Sequence, residues 1–189
     1  MSAPKRKKII FVCTGNTCRS PMAEMLLKGR LEELGLKGFT VSSAGIKAKR
    51  GDVINPKSAQ VLLENGINAE AFKSAKLTEK TLREAFAVVC MTEAQRDLLT
   101  DMRWNAFRKA GEEAQENNVR SFYEITGYEV LDPYGKDIDC YRYVYGLLSA
   151  GIDRLIEVLE LRANAYVSKA KKTDSGAPKK RGRPRKKTE

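Results

Sequence analysis

The sequence predicts an α/β fold, a doubly wound, three-layer, four-stranded parallel sheet with a phosphate-binding loop after its first strand. Three observations predict it. Strand-like runs beginning at Ile9, Phe39, Ala85 and Val119 alternate with stretches that read as helices, the pattern of repeated βαβ units. Residues 85–91 (AFAVVCM) are almost wholly apolar, as in a strand covered on both faces. The first strand leads through a short loop into a helix, at the carboxyl end of the strands, where such sheets hold their ligands.

Taken in order, Ile9, Ile10, Phe11 and Val12 are β-branched or aromatic and suit a buried first strand. Ser20-Pro21 then opens a helix, because proline in a first turn lacks only an N–H that has no partner there. Met22, Ala23, Met25, Leu26, Leu27, Leu31, Leu34 and Leu36 carry it on, and Gly35 and Gly38 mark its end. Residues 39–44 alternate as a second strand that closes at Ser43-Ala44-Gly45. A Lys-, Arg- and Gly-rich loop over 46–55 follows. Pro56 opens a helix through Ser58, Val61, Leu62 and Leu63, stopped by Asn65-Gly66. Residues 72–76 read as connection, and Thr78 starts a short helix with Glu79 and Leu82. After the strand over 85–91, Thr92 caps a further helix, with Gln95 in the fourth place of a capping box and Leu98-Leu99 as apolar contacts. A polar loop over 111–118 precedes a weak last strand over 119–123, and residues 131–135 (LDPYG) form a turn. The closing helix, over 140–163, carries a stripe of Tyr141, Val144, Leu148, Ile152, Leu155, Val158 and Leu159.

At 189 residues the chain fills one core and leaves tails. Its net charge of +11 is unevenly spread: residues 5–8 supply +4 and residues 168–189 supply +8, so the middle carries about −1. Basicity belongs to the ends. Four cysteines, no signal-peptide run and no long apolar segment predict a cytoplasmic protein in a reducing compartment, with no membrane partner. The chain has no histidine, which excludes Ser-His and Cys-His dyads and histidine-ligated metals. Cys13, Cys18, Cys90 and Cys140 lack the paired spacing of a zinc site, so neither metal nor cofactor is expected.

The chemistry concentrates in residues 13–20. A thiol at a strand's end, a loop with unpaired backbone N–H groups and a helix N-terminus together make an anion site, and its field favours a thiolate at Cys13. Arg19 offers a fork to two oxygens of a tetrahedral oxyanion. The set reads as phosphoryl transfer through a phosphocysteine. Cys-x5-Arg alone fits ordinary buried cysteines equally well. Expelling a leaving group needs a proton donor, and without histidine a carboxyl group is the natural choice. Asp132, in Asp-Pro-Tyr, is the candidate, although Asp-Pro by itself also reads as a plain turn.

The full run Cys-Thr-Gly-Asn-Thr-Cys-Arg-Ser-Pro-Met-Ala-Glu resembles the low-molecular-weight protein tyrosine phosphatase family, whose signature is Cys-x-Gly-Asn-x-Cys-Arg-Ser; the likeness spans about residues 8–161. The resemblance implies that Cys13, Arg19 and Asp132 are catalytic, Asp132 first protonating the leaving atom and then deprotonating the water that clears the phosphocysteine. It implies a substrate site of Thr14, Gly15, Asn16, Thr17, Cys18, Ser20 and Tyr134, with Asn16 and Ser20 holding the loop in shape. Ser20 is also near enough in sequence to donate to the Cys13 sulfur. Gly15 is expected to supply a positive φ or a close approach to the oxyanion. Cys18 is the neighbouring thiol able to trap an oxidised Cys13 as a disulfide, or merely packs.

Thr17 stands where tyrosine-specific members usually carry an aliphatic residue. With Asp-Pro-Tyr-Gly-Lys-Asp-Ile-Asp after it, the chain looks closer to the protein-arginine phosphatase branch. A hydroxyl there can orient water or a polar phosphoguanidinium. The loop of Ile46, Lys47, Ala48, Lys49 and Arg50 lacks the aromatic wall that tyrosine phosphatases tend to present, while Tyr134 can stack on phenol or guanidinium alike. The expected activity is hydrolysis of phosphoamino acids on a phosphorylated protein, phosphoarginine ahead of phosphotyrosine. The alternatives are a thiol-dependent arsenate reductase, which needs further cysteines in relay, and a DNA-binding protein on an inactive enzyme fold.

The expected organisation is a basic extension over 1–7, a phosphatase domain over 8–165 and a disordered basic tail over 166–189. Within the tail, residues 179–187 (KKRGRPRKK) resemble an AT-hook, whose Arg-Gly-Arg-Pro core lies in the narrow, electronegative minor groove of A·T-rich DNA. A·T-rich DNA is a candidate partner, as is any polyanion.

Overall fold

The computed structural model describes residues 6–113 and 116–165. Four parallel strands form one sheet in the order β2-β1-β3-β4: β1 Lys7–Cys13, β2 Phe39–Gly45, β3 Ala87–Cys90 and β4 Val119–Ser121. Between and after them run α1 Arg19–Glu33, α2 Pro56–Glu64, α3 Glu79–Glu84, α4 Glu93–Ala110, α5 Phe122–Thr126, α6 Ile138–Val158 and α7 Leu161–Asn164. The predicted doubly wound sheet is the one observed.

Alternation along β1 builds two cores. Ile9, Phe11 and Cys13 join Met22, Leu27, Leu148 and Leu155 under α1 and α6. Ile10 and Val12 join Val88, Cys90, Leu82 and Leu99 on the other face, under α3 and α4. A strand covered on both sides has no polar face, which is why residues 9–12 of β1 and the whole of β3 are continuously apolar. Among the described residues no helix is long and apolar enough to cross a membrane.

Several boundaries differ from expectation. The fourth strand stops at Ser121 rather than residue 123, because Ser121 and Glu124 form a capping box that turns Phe122 and Tyr123 into α5. The closing helix stops at Val158 rather than 163: Glu160 takes a left-handed φ of 50°, and the reversal drives Leu161 into the core as α7 begins. Val158, expected in the buried stripe, is 37% exposed. The first helix ends at Glu33, with Leu34 and Leu36 beyond it, and Leu36 N–H is bonded back to Leu31 O. The third strand is trimmed to four residues. Thr92 caps α4 as expected, but Gln95 Oε1 accepts from Met91 N rather than Thr92 N. That one-residue slip leaves Gln95 Nε2 3.4 Å from Thr14 Oγ1.

Candidate active site

β1 ends on Cys13 and α1 begins at Arg19, so residues 14–18 must turn the chain at the sheet's carboxyl edge. The outer carbonyls of this loop are occupied: Cys13 O accepts from Ile46 N, Thr14 O from Lys47 N and Thr17 O from Asn55 N, at 2.9–3.0 Å. The N–H groups of Gly15, Thr17 and Cys18 donate to no backbone carbonyl among the described residues. At the start of α1, Cys18 provides no side-chain cap and the first turn holds no acid. The positive end of the helix is therefore left for an anion.

The sulfur is held from behind. Ser20 Oγ lies 3.0 Å from Cys13 Sγ, and Asn16 N–H donates to the same sulfur at 3.3 Å. Asn16 is wholly buried and takes a left-handed φ of 56°, which asparagine tolerates better than most residues. Its amide is fully used: Nδ2 donates to Ser20 Oγ at 2.9 Å and to Ser43 Oγ at 2.8 Å, and Oδ1 accepts from Ala75 N at 2.7 Å. With the Ser20 oxygen accepting from Asn16, its own proton is available for the sulfur. Ser43 Oγ passes its proton on to Glu24 Oε2 at 2.6 Å, and Glu24, nearly buried, pairs with Lys28. Two donors aimed at one sulfur stabilise negative charge on it.

Arg19, 3% exposed, donates from Nη1 to Val130 O at 3.0 Å and from Nη2 to Asp132 Oδ2 at 2.6 Å. Its buried Nε has no partner, and so remains as a donor toward an oxyanion. Asp132 is half-exposed, and its Oδ1 accepts from Tyr134 N at 3.2 Å. A cavity of about 200 Å³ is lined by Cys13, Thr14, Gly15, Thr17, Cys18, Arg19, Asp132 and Tyr134. The structure thus brings together eight of the ten residues expected at the site on one cavity wall. Asn16 and Ser20 stand behind it.

Gly15 does not take the positive φ that was one of its two expected roles, because the left-handed turn falls on Asn16; a Cβ on Gly15 would come within 4 Å of Thr17 Oγ1, at 3.6 Å. The tight glycine is Gly45, where a Cβ would stand 2.7 Å from Ala48 Cβ, 2.8 Å from Thr14 O and 2.9 Å from Asn16 N. Gly45, Ser43, Glu24, Gln95 and Tyr141 were not recognised as site residues from sequence. The signal for Ser43 was a short polar break, Ser42-Ser43, that interrupts the alternation of the second strand.

Cys18 is buried 3.7 Å from the Tyr141 hydroxyl and from Thr17 Oγ1. Burial pushes its thiol above the ordinary range, only partly offset by hydrogen bonds from Thr17, Tyr141 and Ser58. Burial likewise raises the Tyr141 phenol. Cys90 sits in the opposite core from Cys13, its Sγ bonded to Thr92 O and Arg120 O, and burial pushes it up to about 12. Cys90 therefore stands on the other face of the sheet from Cys13 and does not line the cavity. Asp137 caps α6 through Cys140 N and Asp139 pairs with Arg142. Among the described residues no His, Cys, Asp or Glu cluster could hold a metal.

This arrangement coincides with a known one. The family model for low molecular weight phosphotyrosine protein phosphatase matches residues 8–166. A protein-arginine-phosphatase of Geobacillus stearothermophilus is 36% identical over 153 residues, covering 81% of this chain and 96% of that protein. The low molecular weight protein-tyrosine-phosphatase PtpB of Staphylococcus epidermidis is 30% identical over 154 residues, covering 78% and 96%. Among solved structures, the YwlE arginine phosphatase, as a cysteine-to-serine mutant with a phosphorylated active-site serine, superposes with a TM-score of 0.70 at 33% identity, covering 81% of this chain and 95% of that one. The sulfur loop, its arginine and the four-stranded sheet therefore carry one conclusion: the chain belongs to the low molecular weight phosphotyrosine protein phosphatase family.

Proposed function

We propose that residues 8–165 form a protein-arginine phosphatase domain in which Cys13 is the nucleophile, Arg19 the phosphoryl-binding cation and Asp132 the general acid. The Cys13 sulfur attacks phosphorus as the P–N bond breaks, and the departing guanidine nitrogen takes a proton from Asp132. Asp132, now a carboxylate, removes a proton from the water that attacks the phosphocysteine. The P–S bond breaks, phosphate leaves and the thiolate returns. Ser20 and Asn16 stabilise that thiolate at both ends of the cycle, while Arg19 Nε and the inward N–H groups bind the three phosphoryl oxygens where charge builds up.

The observation that carries the arginine reading is the cavity wall. Thr17 contributes a hydroxyl beside Cys18, and Tyr134 is the one aromatic among the lining residues. A phenyl ring needs apolar faces to bury itself; a guanidinium needs polar partners. The higher identity to the relative named protein-arginine-phosphatase supports the same reading. Phosphotyrosine remains the second reading because Tyr134, 71% exposed at the mouth, offers a face to either group. Competing phosphoarginine and phosphotyrosine peptides test it: at least about tenfold preference for phosphoarginine is expected, narrowed about tenfold by Thr17→Ile. Preference for the tyrosine peptide overturns the reading.

The AT-hook-like segment at 179–187 lies outside the described residues. The ten Lys or Arg against two acids over residues 168–189 support DNA binding as a separate role of the tail. Removing residues 168–189 should leave turnover of a small substrate intact and abolish retention on an A·T-rich duplex.

A further inference from the structure

The mouth of the cavity is asymmetric in charge. The segment after β2 is bonded to the Cys13 loop near both ends, through Lys47 N to Thr14 O and Asn55 N to Thr17 O, each at 2.9 Å. Residues 49–52 are bonded in turn to Ser74, by Gly51 N to Ser74 O at 2.9 Å, Ser74 N to Asp52 O at 2.8 Å, and Ser74 Oγ to Lys49 O. Ala48 is buried beneath this turn. With Ala48 inward, Lys47, Lys49 and Arg50 stand exposed, as do Lys73 and Lys76 on the segment bonded alongside. Asp52 is the single acid in these two segments, 46–52 and 73–76.

None of these five cations belongs to an ion pair among the described residues, whereas Arg30, Arg83, Arg96, Arg142 and Arg154 on the helices all do. Residues 9–167 carry about −1 and the two segments carry +4, so the rest of that span carries about −5. Positive charge is thus gathered on one side of the mouth. Across the cavity, residues 131–139 hold Asp132, Asp137 and Asp139 against Lys136. Dispersed charge would serve solubility better than a backbone-braced group of like charges, which repel one another until an anion arrives.

We propose that this face docks an acidic stretch of the phosphorylated polypeptide whose phosphoresidue enters the Cys13 cavity, an inference that rests on the phosphatase reading of that cavity. The acidic flank lies over Lys47, Lys49 and Arg50, because the opposite edge repels it. The loop is bonded directly to Thr14 of the cavity lining through Lys47 N, so the flank that meets it is the three or four residues next to the phosphoresidue, roughly 10–13 Å of extended chain. Long-range attraction of this kind acts chiefly on encounter, so it shows in kcat/KM and weakens with salt.

The test uses the full chain and two peptide pairs, one pair phosphorylated on arginine and one on tyrosine, each with a Glu-rich and a Lys-rich member. The Glu-rich member should be turned over with about tenfold higher kcat/KM at low salt, the gap closing toward unity near 1 M salt, where the Debye length is about 3 Å. The triple variant Lys47→Glu, Lys49→Glu, Arg50→Glu should invert the ratio. Equal turnover of both members, or a Glu preference that survives the triple variant or high salt, overturns the proposal. Inhibition by a short DNA duplex that the triple variant relieves, without any flank preference, gives the face to nucleic acid and overturns it too. If only the tyrosine pair is turned over, the arginine reading fails while the flank comparison within that pair still decides this one.

Discussion

The loop over 13–20 and the segment over 131–137 face each other across one cavity, yet they are built differently. In the first, the side chains that hold the sulfur and the cation are buried: Cys13, Asn16, Arg19 and Ser20 are each less than 4% exposed, and Asn16 alone makes four hydrogen bonds. In the second, Leu131, Asp132 and Tyr134 are exposed, and the Asp132 carboxylate is tied down by one ion pair and one backbone N–H. Under the proposed roles, the fold fixes the nucleophile and lends the acid. A sulfur whose role is to attack along one line gains from being held before substrate arrives. A carboxyl group that must serve first the leaving group and then a water gains from freedom.

The contrast also explains the ion pair between Arg19 and Asp132. Arg19 Nη2 reaches Asp132 Oδ2, the nearest carboxylate, at 2.6 Å. Under the proposed roles, a phosphoryl dianion would compete for the same donor and free the carboxyl group.

Replacing the fixed partner should do the most damage. Cys13→Ser keeps the loop's shape and removes the thiolate, so turnover is expected to fall by about 10⁴-fold or more, measured as phosphate release under single-turnover conditions. Undiminished release would end the comparison, because the held atom would then not be the reacting one. Replacing the lent partner should do less, and should split two readouts. Asp132→Asn is expected to lower kcat by roughly 10²- to 10³-fold while tightening inorganic phosphate by roughly two- to fivefold, since Arg19 loses a half-exposed competitor worth at most about 1 kcal/mol. Phosphate affinity that is unchanged or weaker would mean that the ion pair does not compete with substrate.

The same division decides what can be read from the sequence. The held loop is local: strand, glycine and asparagine, arginine, then Ser-Pro opening a helix all lie within 16 residues, and each has a short-range preference pointing the same way. The sheet was legible for a like reason, since residues 9–12 of β1 and all of β3 are buried on both faces and carry no polar residue to obscure them. What was not legible depends on distant partners. Gly45 is required because residues 14 and 16 pass over it, and nothing adjacent to it says so. Asn16, rather than Gly15, takes the left-handed turn because Ser20, Ser43 and Ala75 converge on its amide from three segments. The break after Val158 follows from where Leu161 finds a pocket, so a periodic stripe overran it. The end of β4 is the exception: Ser121 and Glu124 are a local signal, and the apolar Phe122 masked it.

The smallest effect tests how far back the holding extends. Ser43 does not line the cavity; its hydroxyl accepts from Asn16 and donates to Glu24. Ser43→Ala leaves one Asn16 N–H and one Glu24 oxygen unpaired in a buried setting, which should cost about 1–3 kcal/mol of stability by denaturant unfolding. If Asn16 fixes Ser20, and Ser20 the sulfur, kcat should also fall by roughly tenfold, with KM for a small substrate little changed. The matching control is Ser43→Thr, which keeps the hydroxyl and should recover most of both losses. A variant that loses stability but keeps kcat would separate the two, leaving Ser43 as ordinary packing and ending the chain of positioning at Asn16. Loss of both, with recovery by threonine, extends the rigid half of the site through Ser43 to Glu24 on α1, the carboxylate that accepts the Ser43 proton.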